Sequence, residues 1–196
     1  MAGAPPYIAR AFDLSEIEGF APRTLELHQQ IYRAHVDAVN RSLVASTAAG
    51  ATASATAGNN GSRFAHDYNG MVLHEAFFAG LTGALGAVPA PDGAFLNAAS
   101  ACFGGFEAWK SSIRRLAAEG GNGWVLCMRE RGAGRIFNCW IESHAIGLPA
   151  STDVIVAVDL WEHAWLPDYG PAQRHEYVDA VLTQLDWDVV ERRCRG

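Results

Sequence analysis

Several histidine and aspartate side chains in this sequence fall in patterns that could meet at a metal ion. The block "DLWEH" carries Asp159 and His163 four residues apart. A carboxylate and an imidazole at that spacing can converge on one point, and each is an ordinary ligand for a divalent or trivalent first-row metal. Asp159 ends the run "VIVAVDL", which is β-branched and apolar as a buried strand is. A carboxylate there, among Val158, Trp161 and Trp165, needs a partner. A metal ion would serve, and so would a salt bridge; spacing alone favours the salt bridge. His74, in "YNGMVLHEAFF", falls on an apolar helix face with Met71, Phe77 and Phe78. His28, in "LELHQQIYRAHV", shares a helix face with His35, seven residues on. That pair reads as a metal-binding stripe, as a catalytic pair, or as part of an ordinary amphipathic helix. Each histidine taken singly reads most simply as a satisfied core residue. Three inward histidines and one inward aspartate together are more than a core of this kind ordinarily holds.

The elements that must position them can be read from periodicity. Residues 22–43 predict a helix, with Leu25, His28, Ile31, Tyr32, His35, Val36 and Val39 at helical spacing and Pro22 near its start. "VASTAAGATASATAGNNGS", residues 44–62, reads as a poorly ordered or partly helical connector with the NNG as its turn. A second helix is expected over 66–82, with Tyr68, Met71, Val72, His74, Phe77, Phe78 and Leu81 on its apolar side. "GALGAVPAPDG" breaks the chain, and two helices then meet near Gly104 and Gly105. "WVLCM" and "RIFNCWI" read as strands joined by the turn "RERGAG", with "VIVAVDL" as a third. Helices close the chain after a break at Gly170–Pro171. The order predicts an α+β fold: an all-helical N-terminal lobe over 1–86, and a C-terminal lobe over 87–196 with a small antiparallel sheet flanked by helices.

Composition narrows the function classes. The chain has 196 residues, 49% of them apolar, enough for a sizeable core. Its net charge of −6 argues against a nucleic-acid binder, which would show a basic stripe. A small anionic substrate stays open, because steering depends on the local field. No apolar run is long enough to span a bilayer. The segment "MAGAPPYIARAFDL" does not read as a secretory signal. Cys102, Cys127, Cys139 and Cys194 show no CxxC or finger spacing, and two fall in predicted strands. Reduced thiols in a cytoplasmic protein are expected.

Four blocks, in order, resemble the iron/manganese superoxide dismutase family nearly end to end. "DLWEHAWLPDYG" resembles the family's C-terminal signature. "YNGMVLHEAFF" resembles its second-ligand helix and "RTLELHQQIYRAHVDAVN" its first-ligand helix. "GNGWVLCMRERGAGRIFNCWIESHAIG" resembles its two strands and the loop beyond. Carried over by position, the resemblance implies His28, His74, Asp159 and His163 as ligands of one iron or manganese ion per chain. It implies a helical hairpin lobe plus a lobe with a three-stranded antiparallel sheet. It also implies dismutation of superoxide, one anion oxidised to oxygen and the next reduced to hydrogen peroxide. "WIESHAIG" resembles the family's histidine variety, which implies His144 as the candidate to stand beside the bound solvent. Glu162 resembles the residue that reaches across a dimer interface to the partner's ligand histidine, which implies a homodimer or homotetramer. Trp124, Trp161, Phe77 and Phe78 would form the apolar cage.

The sequence also departs from the family. The closest subgroup pattern is roughly H-x-x-L-Y-x-G-Y-V, where this chain has "HQQIYRAHV". His35 then replaces the gateway tyrosine, and Ala34 the preceding glycine. A phenol holds its proton to about pH 10, whereas an imidazole titrates near ~6.5. His35 could relay protons, act as an extra metal ligand, or change what enters the site. Tyr32, one turn after His28, is a partial substitute for the missing phenol. The leading expectation is a cytoplasmic superoxide dismutase. The alternative is a repurposed metalloenzyme on this scaffold, oxygen-activating or hydrolytic, with an organic substrate; a non-catalytic homologue fits poorly with a retained set of four ligands.

Overall fold

The apolar stripe of the first third folds as a pair of long helices. In the computed structural model, which describes residues 5–48 and 57–196, α1 spans Pro22–Ala48 and α2 spans Ala57–Phe78. Pro22 opens α1, where a missing N–H costs nothing. Leu25, His28, Tyr32, Val36 and Val39 are buried along one face, three or four residues apart. On α2 the buried face is Asp67, Met71, His74, Phe77 and Phe78, with Leu73 beside it. Tyr68 and Val72, expected on that side, are exposed. α1 runs past its expected end at residue 43, whereas α2 starts before residue 66 and stops at Phe78, short of the expected residue 82. Asn59–Gly61, expected as a turn, lies inside α2. Asn and Gly are weak helix residues by well under ~1 kcal/mol each to about that value, which a continuing helix can override. Of the expected connector, residues 44–48 belong to α1 and 57–62 to α2, and the remainder lies outside the described residues.

After the irregular stretch 79–93, where the expected 86/87 lobe boundary falls, come α3 (Ala94–Phe103) and α4 (Phe106–Glu119). Gly104 and Gly105, both at positive φ (85° and 144°), allow the sharp break between them. The carboxylate of Glu191 accepts from Ala94 N at 2.8 Å and Phe95 N at 3.0 Å, capping α3 with a negative charge at its positive end.

β1 (Trp124–Glu130), β2 (Ile136–Ile141) and β3 (Thr152–Asp159) form one antiparallel sheet in the order β2-β1-β3. The register sets Trp124 opposite Ile141 on one side and Asp159 on the other. The start of β1 thus lies beside the end of β3. The chain closes with α5 (Glu162–Trp165), α6 (Arg174–Thr183) and α7 (Trp187–Arg195). Arg193 of α7 donates to Ile155 O in β3 and to Ala76 O in α2, at 3.0 and 2.9 Å. It ties the helix carrying His74 to the strand that ends at Asp159. The α+β architecture expected from the element order is the one observed. Cys127 and Cys139 lie in β1 and β2, and the four cysteines are free thiols.

Candidate metal centre

Each member of the cluster comes from a different element. His28 descends from α1 and His74 from α2; Asp159 ends β3; His163 opens α5. Asp159 must sit there because the pleat that buries Ile155 through Val158 ends in the crevice between the helix pair and the sheet. Three imidazole Nε2 atoms face one oxygen, Asp159 Oδ2: His28 at 2.9 Å, His163 at 3.3 Å and His74 at 3.7 Å. His28, His74 and Asp159 are buried, and the His163 side chain is 22% exposed. The ring centroids of His28 lie 5.1 Å from His74 and 5.0 Å from His163.

Further contacts hold these groups in orientation. His74 Nδ1 donates to Gly70 O at 2.6 Å, which leaves Nε2 as the lone-pair nitrogen. The other Asp159 oxygen, Oδ1, accepts from Trp161 N at 2.9 Å, and the Asp159 carbonyl accepts from Tyr177 Oη at 2.6 Å. Phe77 and Phe78 pack on His28, and Trp124 on His74, with Trp161 near His144. Of the four expected aromatic residues, Phe77, Phe78 and Trp124 thus meet the cluster, and Trp161 meets His144.

Burial holds the imidazoles of His28 and His74 below the ordinary histidine pKa, outweighing the pull of Asp159. Burial acts to raise the Asp159 carboxyl, yet His163 and His28 outweigh it and keep the group ionised. Among the described residues its ion-pair partners are these three imidazoles and no Lys or Arg. The partner that spacing alone left open is thus a set of three imidazole nitrogens around one carboxylate. His74 Nε2 and His163 Nε2 are buried without a hydrogen-bond partner. An orphaned buried donor or acceptor costs about 1–3 kcal/mol. At ligand bonds of about 2.1 Å, neighbouring donors around a metal stand roughly 3.0–3.6 Å apart. The observed 2.9–3.7 Å spacing fits, so the residues present suit a first-row ion.

The structure also brings His144 and His35 to this place. His144, 3% exposed, accepts from Trp124 Nε1 at its Nε2 over 2.6 Å, and its Nδ1 has no partner. Burial first, then the His35 and His66 imidazoles, push its pKa down to about 4. His35 lies with its ring 5.4 Å from His74 and 5.2 Å from His144, and burial lowers its pKa against the pull of Asp67. Tyr32 is placed differently. Its hydroxyl accepts from Arg10 N at 2.9 Å and donates to Glu75 Oε1 at 2.8 Å, and its ring meets Phe12 and Phe78. Burial pushes this phenol up to about 12. Its hydroxyl is committed away from the cluster. Glu162 is exposed on the first turn of α5.

Sequence reasoning missed His66 and Asp67, which adjoin His35, and Gly70, whose absent side chain admits it. A Cβ at Gly70 would stand 2.8 Å from three ring atoms of His35. The signal was available: Asp67 precedes His74 by seven residues and so shares its helix face.

Fold and site together define a small α+β protein with a three-imidazole, one-carboxylate cluster of the kind that holds a redox metal. Residues 91–193 match the family described as iron/manganese superoxide dismutases, C-terminal domain. The chain is 31% identical over 165 residues to a Halobacterium salinarum protein named superoxide dismutase (Mn) 2, covering 84% of this chain and 80% of that one. It is 32% identical over 123 residues to superoxide dismutase (Mn) 2 of Haloferax volcanii, covering 63% of this chain. It is 37% identical over 121 residues to superoxide dismutase (Fe) of Cupriavidus metallidurans, covering 61% of this chain. The match spans 60% of the Haloferax protein's length and 58% of the Cupriavidus protein's. The chain belongs to the iron/manganese superoxide dismutase family.

Proposed function

We propose that this chain dismutates superoxide, converting two superoxide anions and two protons into oxygen and hydrogen peroxide. The observation that carries the reading is the convergence of three imidazole Nε2 atoms on Asp159 Oδ2 within 3.7 Å. His28, His74, Asp159 and His163 would hold one iron or manganese ion per chain. Bound there, the ion supplies one-electron redox chemistry between its +3 and +2 states.

The chain's own groups do the rest. Three neutral imidazoles and one carboxylate carry a single negative charge, which leaves a net positive centre for a small anion. Gly70 O holds the His74 ring by its Nδ1, and Trp161 N holds Asp159 Oδ1. Phe77, Phe78 and Trp124 exclude bulk water from the cluster. His144 takes the role of the family's histidine variety. Its Nε2 accepts from Trp124, so the neutral ring carries its proton on Nδ1 and offers it as a donor. Two protons must reach each peroxide. His35 Nδ1 lies 3.3 Å from Asp67 Oδ1, on the route from the more exposed His66, and is the relay. Tyr32 contributes by bracing the Arg10–Glu75 contact on the far side of Phe78.

An open cavity of about 430 Å³ is lined by Leu14, Phe20, Leu25 and Arg33 among others, and by none of the four candidate ligands, so it lends the organic-substrate alternative no support. No helix among the described residues is long and apolar enough to cross a membrane. We place the protein in the cytoplasm, where free thiols persist, as a homodimer with exposed Glu162 facing the partner's His163. The test is to purify the protein, count iron and manganese per chain, and assay superoxide consumption. Metal at one per chain with negligible dismutation would sink the proposal.

A further inference from the structure

Beside the first cluster, and sharing no residue with it, lies a second convergence of ligand atoms. His35 comes from α1, and His66 and Asp67 from α2. Ligand atoms of these three side chains all lie within 4.8 Å of one another. Asp67 Oδ1 stands 3.3 Å from His35 Nδ1 and 3.4 Å from His66 Nδ1. Both distances are longer than an ordinary N–H···O bond of about 2.7–3.2 Å. They match the edge of a tetrahedral site, about 3.4 Å for ligand bonds near 2.1 Å. Among the described residues, Asp67 makes ion pairs with these two histidines and with no Lys or Arg. The His66 side chain is 42% exposed, which opens a path from solvent.

A second observation points to a ligand here. The ring of His144 lies 4.8 Å from His66 and 5.2 Å from His35. Its Nδ1 is buried without a partner, while Trp124 occupies its Nε2. The ring that offers its Nδ1–H at the first cluster thus also borders this site, so water or a small anion filling a fourth position here would compete for that donor.

We propose that His35, His66 and Asp67 form a second metal site, binding a divalent first-row cation of the Zn2+ class through two imidazole nitrogens and one carboxylate oxygen, with one position left open. Two imidazoles with a carboxylate, with one position open, are an ordinary ligand set for Zn2+ and its neighbours. The site abuts the first cluster through the His35–His74 ring contact at 5.4 Å. A cation there would sit at the outer approach to the first cluster, add positive charge to it, and take His35 and Asp67 out of the proton route while it is bound.

The test uses full-length protein whose first cluster has been saturated with manganese. Zn2+ is titrated in, with manganese and zinc counted separately by elemental analysis, and Co2+ is used in parallel for its visible d–d bands. One zinc per chain should bind with manganese retained, and Co2+ should give the intense bands of a tetrahedral site. His66→Ala and Asp67→Asn should each weaken zinc uptake at least about tenfold while manganese content is unchanged. Retained manganese also reports that each variant has folded. Zinc that enters only by displacing manganese one for one overturns the proposal. So does zinc binding that both variants leave intact.

Discussion

Tyr177→Phe is a sharp probe of how the fold supports the cluster. The substitution deletes one oxygen and leaves the ring, which packs edge-on against Phe20 and Tyr169. What is lost is a buried bond of 2.6 Å from Tyr177 Oη to the carbonyl of Asp159. A typical internal hydrogen bond contributes about 0.5–1.5 kcal/mol, and a carbonyl left dry in the interior raises the loss toward ~2 kcal/mol. For a chain of this size each kcal/mol moves the melting temperature by about 2–4 °C, so a fall of roughly 4–8 °C is expected. The same bond fixes the backbone that carries the carboxylate. Metal retention under a chelator challenge should therefore fall about 10–100-fold, the range for groups that orient a ligand. Tyr169→Phe is the comparison: its hydroxyl donates to Gly19 O at 2.8 Å in a bond open to solvent. Water replaces that bond, and a shift under ~2 °C is expected. Calorimetry and metal analysis of both variants decide the matter. Equal shifts, or a Tyr177→Phe protein that holds its metal as firmly as the parent, would refute the reasoning.

Acidification should destabilise the metal-free protein between pH 6.5 and 4. The folded-state pKa of His144 is about 4 against 6.5 for the free side chain, so in that window the unfolded chain binds the extra proton and stability falls as pH falls. The full loss, below pH 4, is about 3 kcal/mol from His144 alone, with His28, His74 and His35 lowered in the same direction. Urea unfolding across that pH range measures it, and a flat profile would contradict it. Gly70→Ala should displace the His35 ring, since its new Cβ would lie 2.8 Å from three ring atoms; the His35 imidazole resonances should shift in NMR while overall helicity is kept. Glu191→Ala should cost about 2–3 kcal/mol in urea unfolding, because two N–H groups of α3 lose a charged acceptor. Asp159→Asn should leave the protein folded but unable to retain iron or manganese, as read by elemental analysis.

Much of the architecture was legible from periodicity. The 3.6-residue stripe of α1, the glycine break between α3 and α4 and the three β-branched or aromatic strands are local patterns, and local sterics and burial suffice to select them. The candidate ligands His28, His74, Asp159 and His163 were named by the blocks that resemble the iron/manganese superoxide dismutases; ligand chemistry alone left a salt bridge and core histidines open. The helix lengths were less legible. Turn chemistry at Asn59–Gly61 is a weak local preference, and it yields to the continuing helix.

What only tertiary structure decided is which of these side chains face one another. Nothing in the spacing of residues 28, 74, 159 and 163 places three Nε2 atoms around a single Asp159 oxygen; packing of the helix pair against the end of β3 does. The sequence offered His35 in place of the gateway tyrosine and Tyr32 as a partial substitute; packing commits Tyr32 to Glu75 and turns His35 toward Asp67 and His144. The physical reason is range. Helix and strand preferences act over a few residues, whereas a metal-type cluster forms where elements far apart in the chain are driven together to bury their apolar faces. The sequence by itself determined the elements and the chemistry available to them, and burial in the folded chain decided where that chemistry converges.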